Sequence, residues 1–224
     1  MLREGSVNPL RRSLLFACLT LALPACKKKP DPLKGSGVGA TRARSVAAFS
    51  ELSVGNGLEF EVTVGKGASL EISGDDNLIS LVTTQVEGKR LTLGVDKKLK
   101  QRQPLRVRVG TERLDGIRVV AGAKGKVSGV RAEAFHVESG GGATVEIAGS
   151  SQALEVKSRS AARVDLKGFS AAKGIVTAAD ASTIELGYLE ELDVTQTGMS
   201  RVIYRGEPKL TQSVKKPARL IRGD

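Results

Sequence analysis

Aromatic residues are scarce in this 224-residue chain: they make up 3% of it, and tryptophan is absent. Proteins that hold single-stranded nucleic acid interleave basic residues with stacking aromatics. Past residue 25 only Phe49, Phe60, Phe135, Phe169, Tyr188 and Tyr204 are available, so no nucleic-acid partner is expected despite a formal net charge of +11. A core built mainly from Val, Leu, Ala and Gly suits a narrow interior better than a roomy ligand cavity. There is one histidine, His136, and there are two cysteines, Cys18 and Cys26. Metal-ligand spacing of Cys and His is therefore missing. His136 sits between Phe135 and Val137 and projects to solvent by alternation, which argues against a general base. No catalytic residue, metal ligand or cofactor is expected.

The N-terminus is a leader. Arg11 and Arg12 precede the apolar run from Ser13 to Leu23, which is too short to span a bilayer and reads as a secretory signal. It ends in Leu23-Pro24-Ala25-Cys26, which resembles the bacterial lipobox, although Pro24 departs from the residue usual at its place. The resemblance implies cleavage after residue 25, lipidation of Cys26, and attachment to the membrane by acyl chains. Cys18 leaves with the leader, so no disulfide is expected. Residues 26–43, with Lys27-Lys28-Lys29 and Gly35-Ser36-Gly37, read as a basic, flexible tether. Loss of residues 1–25 removes Arg3, Arg11, Arg12 and Glu4 and leaves +9. With no Asp directly after Cys26, the mature protein resembles lipoproteins sorted to the outer membrane.

One pattern then recurs. Val119, Val137, Val156, Val176 and Val194 stand 18, 19, 20 and 18 residues apart, and a second apolar residue follows each after eight: Val127, Val145, Val164, Ile184 and Val202. Six residues after each first anchor stands a small residue: Gly125, Ala143, Ala162, Ser182 and Ser200. A period near twenty made of short β-type runs is the signature of a solenoid, in which each coil buries its apolar face only by stacking on neighbours. The fold class is all-β, a single-stranded parallel β-helix, with its coils and C-terminal cap in residues 113–224 and a β-rich cap region in 44–112. Within that region Leu58 to Val64 alternates cleanly. Asp75-Asp76-Asn77 precedes Leu78-Ile79, so Asp76 or Asn77 is expected to cap a short helix.

Taken together, Arg44-Ser45-Val46-Ala47-Ala48-Phe49, Ser73-Gly74-Asp75-Asp76-Asn77-Leu78-Ile79, the turns Ala121-Gly122-Ala123 and Ser139-Gly140-Gly141-Gly142, and Tyr204-Arg205-Gly206-Glu207-Pro208 resemble the head GIN domain family of putative autotransporter adhesins, over residues 44–221. The resemblance implies a right-handed parallel β-helix in exported, often lipid-anchored bacterial proteins, and it carries over no catalytic residues. Arg159-Ser160 and Ala179-Asp180 depart from the Gly-rich turns of the other coils.

Lys124, Lys126, Arg159, Arg163 and Arg201 fall at or near one turn of successive coils. Stacked coils lie about 4.8 Å apart, so such a row offers repeated contacts to an extended anionic polymer. The expected function is non-enzymatic binding or adhesion by a lipid-anchored module of the cell envelope at the outer membrane. Its partners are the membrane, through Cys26, and an anionic polysaccharide or an envelope protein. The alternatives are a polysaccharide lyase- or hydrolase-like enzyme on the same fold, and an architectural part of an envelope complex.

Overall fold

Alternating strands of four to six residues, separated by turns at a period near twenty, bury their apolar face only by lying parallel and in register on one another. The computed structural model, which describes residues 31–223, shows this arrangement: a nearly all-β chain with a parallel β-solenoid of about five turns. The leader and Cys26 lie outside the described residues. Strands β1 (Leu33–Lys34) and β2 (Gly39–Arg44) lead into β3 (Glu51–Val54), β4 (Glu59–Val64) and β5 (Ser69–Asp75). One helical turn, α1 (Asp76–Ile79), is followed by β6 (Val82–Glu87), β7 (Arg90–Val95), β8 (Leu99–Lys100), β9 (Arg106–Thr111) and β10 (Gly116–Val119). The long strands β11 (Lys124–Ser139) and β12 (Thr144–Ser158) each turn a corner and contribute to two faces. Then come β13 (Arg163–Leu166), β14 (Phe169–Ala178), β15 (Thr183–Gln196), β16 (Arg201–Arg205), β17 (Lys209–Val214) and β18 (Arg219–Arg222).

Two inward ladders make the core. On one face Leu91, Leu52, Ile117, Val137, Val156, Val176, Val194 and Gln212 lie in register. On the other the order is Val107, Phe60, Gly125, Val145, Val164, Ile184, Val202 and Leu220. From Phe49 to Val202 these residues belong to one continuous buried cluster, within which Phe135 and Phe169 stack with ring centroids 5.5 Å apart.

The ladders shift the first coil by two residues. Ile117, not Val119, pairs with Val137, and Gly125, not Val127, pairs with Val145. Val119 and Val127 are inward too, one step further along each strand. The anchor position at Gly125 is empty because the Phe60 ring fills it; a Cβ there would lie 2.6 Å from two ring carbons. With this phase the small residue at the turn is Ala123, followed by Ala143, Ala162, Ser182 and Ser200, all buried.

The ladders also run beyond residues 113–224. β3 and β4 form a rung directly on β10 and the start of β11, while β7 and β9 form the next rung outward. The chain therefore lays down β3 and β4, travels past them, and returns as β7 and β9 on their far side. That end is closed by antiparallel strands, β6 on β7, and β5 then β2 on β9. Residues 33–43, placed in the tether by sequence alone, form β1, paired with β8, and most of β2.

Asp75 holds this end together; of the two expected helix caps, Asp76 accepts the Asn77 N–H at 2.7 Å, while the N-cap position itself is Asp75. The Asp75 side chain makes no capping bond to α1. Its buried carboxylate instead accepts N–H bonds from Gly37 at 2.8 Å, Arg102 at 2.9 Å and Gln103 at 3.1 Å. Asp76 accepts from the Ser36 hydroxyl, and Asn77 bonds the Ser36 N–H and the Lys34 carbonyl. Asp76 and Asn77 thus also tie down the incoming strand. Burial alone would raise the pKa of Asp75, but the three N–H donors and the Arg102 guanidinium outweigh it and hold the carboxyl below its ordinary value. A depressed pKa means that the stabilisation is complete above the unfolded carboxylate range and is lost as pH falls through the folded value. Asp75→Asn puts an amide NH2 against backbone donors. In this variant the amides of residues 37, 102 and 103 are expected to lose protection, relative to their intrinsic exchange rates, already at neutral pH, as in the native protein only in acid.

At four successive coils the tight corner is a four-residue turn with both central residues at positive φ: Ala121 and Gly122, Gly141 and Gly142, Ser160 and Ala161, Asp180 and Ala181. The turn closes by an N–H to carbonyl bond, for example Ala143 to Gly140 at 3.3 Å and Ser182 to Ala179 at 3.1 Å. Left-handed backbone costs an L-residue about 1–2 kcal/mol, partly offset by the extra unfolded entropy of glycine. Ala161→Gly and Ala181→Gly are therefore each expected to stabilise the fold by about 0.5–1 kcal/mol, read as a higher denaturation midpoint.

Candidate functional site

Side chains at outward positions of in-register strands form ladders of their own, so strand pairing decides which charges become neighbours. On the face carrying Val145 and Val164 inward, one outward ladder reads Arg106, Glu59, Lys124, Thr144, Arg163, Thr183, Arg201, Arg219. Two residues further along each strand the next ladder reads Arg108, Glu61, Lys126, Glu146, Asp165, Glu185, Ile203, Ile221.

The five candidate cations are therefore divided. Lys124, Arg163 and Arg201 share the first ladder. Lys126 stands in the second, where its Nζ lies 2.8 Å from Glu146; the hydrogen bond it donates to Glu146 and then the charge of that carboxylate raise the Lys126 pKa. Arg159 is on the turn, 3.6 Å from Glu138, which also faces Arg118 at 3.7 Å. Pairing removes both from a row of available charge.

What remains is specific. Lys124, Arg163, Arg201 and Arg219 are exposed, and among the described residues none of the four makes an ion pair. Elsewhere on the stack outward charges are mostly matched. On the opposite face Arg90 pairs with Glu51, and His136 contacts Glu155 through Nδ1 at 2.9 Å. The hydrogen bond from Lys157, then that from His136, holds the Glu155 carboxyl below its ordinary range. The second ladder is itself partly neutralised, because Lys167 reaches Asp165 at 2.9 Å and Glu185 at 3.3 Å. A shallow depression of about 540 Å³ lies over the start of both ladders, lined by Lys124, Lys126, Thr144, Glu146, Arg163 and Asp165 among others.

Sequence reasoning did not single out Arg219, Thr144 or Thr183. Arg219 was legible in principle, since it follows Arg201 by the same 18 residues that separate Val176 from Val194. The polar Gln212, where an apolar anchor would be expected, concealed that rung.

Comparison with known proteins agrees with this architecture. The model of the family described as "Putative auto-transporter adhesin, head GIN domain" matches residues 48–208. Similar solved structures include a putative adhesin from Bacteroides fragilis, 19% identical with a TM-score of 0.69, covering 85% of this chain and 98% of that one. A putative adhesin from Parabacteroides distasonis is 15% identical with a TM-score of 0.57, covering 86% and 99%. A putative lipid binding protein from the same species is 14% identical with a TM-score of 0.53, covering 87% and 100%. At these identities the likeness shows the fold. The curated proteins contain no match to the chain.

Proposed function

From the premise that the chain belongs to the head GIN domain family of putative autotransporter adhesins, we propose that it is a binding module of the bacterial cell envelope whose ligand is an extended anionic polysaccharide. The observation that carries this reading is the single ladder of Lys124, Arg163, Arg201 and Arg219, in register along the stack, exposed and, among the described residues, without an ion-pair partner. Free cations repeated along one line bind a polymer by many weak contacts, each too small to matter alone. The decisive experiment is retention of the protein on immobilised acidic polysaccharide and on lipopolysaccharide at two salt concentrations. Retention that weakens with salt but survives at moderate ionic strength supports the reading, and none at low salt contradicts it.

The second part of the proposal is the anchor. Acyl chains on Cys26 together with Lys27, Lys28 and Lys29 would hold the protein to the outer membrane. Cys26→Ser is expected to move the protein from the detergent-extracted membrane fraction to the soluble one; an unchanged membrane fraction would remove the lipid anchor.

A further inference from the structure

The unpaired cations do not occupy every rung. Lys124, Arg163 and Arg201 alternate with Thr144 and Thr183, so with rungs about 4.8 Å apart the charges repeat at about 9.6 Å. Two residues on along their own strands, Thr144 is followed by Glu146 and Thr183 by Glu185, as Arg163 is by Asp165, whereas Arg201 is followed by Ile203 and Lys124 by Lys126. An anion placed over a threonine rung thus meets no free cation and has a glutamate about 7 Å away. Glu146 and Glu185 are already held by Lys126 and Lys167, so those lysines are not released to receive it.

Resting on the reading of this ladder as a polyanion site, we propose that it selects a linear polysaccharide bearing one anionic group on every second sugar, laid along the stack axis. The anionic group of each disaccharide meets Lys124, Arg163 or Arg201. The uncharged sugar between them meets Thr144 or Thr183, whose hydroxyls both donate and accept and so match sugar hydroxyls. A pyranose unit is close to one rung in length, which keeps polymer and ladder in step over several contacts. A polymer with a charge on each sugar would put every second anion over a threonine rung, where no free cation of the ladder meets it. The adjacent pair Arg201 and Arg219 is the one place where consecutive rungs are both cationic, and it lies at the end of the row.

Two carboxylate polymers separate this from simple charge attraction. Hyaluronate carries one carboxylate per disaccharide and polygalacturonate one on every sugar, while uncharged dextran reports background. The full chain is expected to bind hyaluronate at least several-fold more tightly than polygalacturonate at equal carboxylate concentration. Filling the gaps with Thr144→Lys and Thr183→Lys, both on the outer face, is expected to raise polygalacturonate affinity about tenfold or more while changing hyaluronate affinity much less. Polygalacturonate binding as well as hyaluronate to the native chain, or a double variant that gains equally for both, would overturn the selectivity and leave the polyanion site standing. Failure of both polymers to bind above dextran would overturn the selectivity and the site together.

Discussion

Replacing Gly125 with valine is expected to destabilise the protein by about 3 kcal/mol, at the upper end of the cost of overfilling a packed core. This is so although valine stands in register with it at Val145 and Val164. By the logic of a repeat, Gly125→Val restores the consensus and should help. The structure reverses the sign. A Cβ at residue 125 would run into the Phe60 carbonyl oxygen and would lie 2.6 Å from carbons of its ring. The ring is nearly buried and cannot swing out without exposing apolar surface. Phe60→Val on its own leaves a cavity and is also expected to be destabilising. The two together restore the volume, so the double variant should be more stable than the sum of the single effects implies, a coupling visible in denaturant midpoints. Additive effects would show that Phe60 does not occupy the Gly125 position.

Reversing one charge at the middle of the ladder, Arg163→Glu, is expected to weaken binding to an acidic polysaccharide roughly ten- to thirtyfold, about 1–2 kcal/mol, because one attractive contact of up to ~1 kcal/mol is replaced by a repulsive one. Arg163 is flanked by Thr144 and Thr183 on the neighbouring rungs, and no other cation of its ladder is within one step. The polymer cannot shift its charge to a neighbour without losing register with Lys124 and Arg201. Stability should barely change, since Arg163 is exposed and makes no ion pair. The matching change at Lys126 should matter much less for binding, because that charge is already committed to Glu146.

The solenoid was legible because its signal is repeated: a misread of any one coil leaves the others to establish the period. The misread coil was the first, and the reason is local. Ile117 and Gly125 are the true anchors, but Gly125 carries no apolar side chain, so the eye passes to Val119 and Val127, which are buried two positions later. The missing side chain is supplied by Phe60 from a rung 65 residues earlier, and no window of the sequence contains both. The excursion that puts β7 and β9 outside β3 and β4 is hidden for a related reason. Each strand's alternation says that it is half-buried, and nothing in it says which neighbour it will choose. Asp75 illustrates the same limit. Its neighbours Asp76 and Asn77 are the expected caps and nothing marks Asp75 itself, whose donors come from Gly37, Arg102 and Gln103, which only the closed end of the stack brings together.

The binding surface was legible in composition and not in arrangement. Basic residues near one corner stand out, but whether a cation is free depends on the partner across the rung. Lys124 and Lys126 are two residues apart on one strand and alike in sequence context. Register places Glu146 beside Lys126, which it pairs with, and puts Lys124 between Thr144 and Glu59, whose carboxylate is taken by Arg106, and so separates a neutralised charge from an available one.

The measurement closest to the central claim compares two variants of equal net charge. Lys124→Ser, Arg163→Ser and Arg201→Ser together remove three cations from the ladder; Lys97→Ser, Lys98→Ser and Lys100→Ser remove three from the exposed loop beside β8. Retention on an acidic polysaccharide at moderate salt is predicted to be lost in the ladder variant and nearly unchanged in the loop variant. Equal loss in both would mean that the protein binds by overall charge and that the ladder has no special part in it.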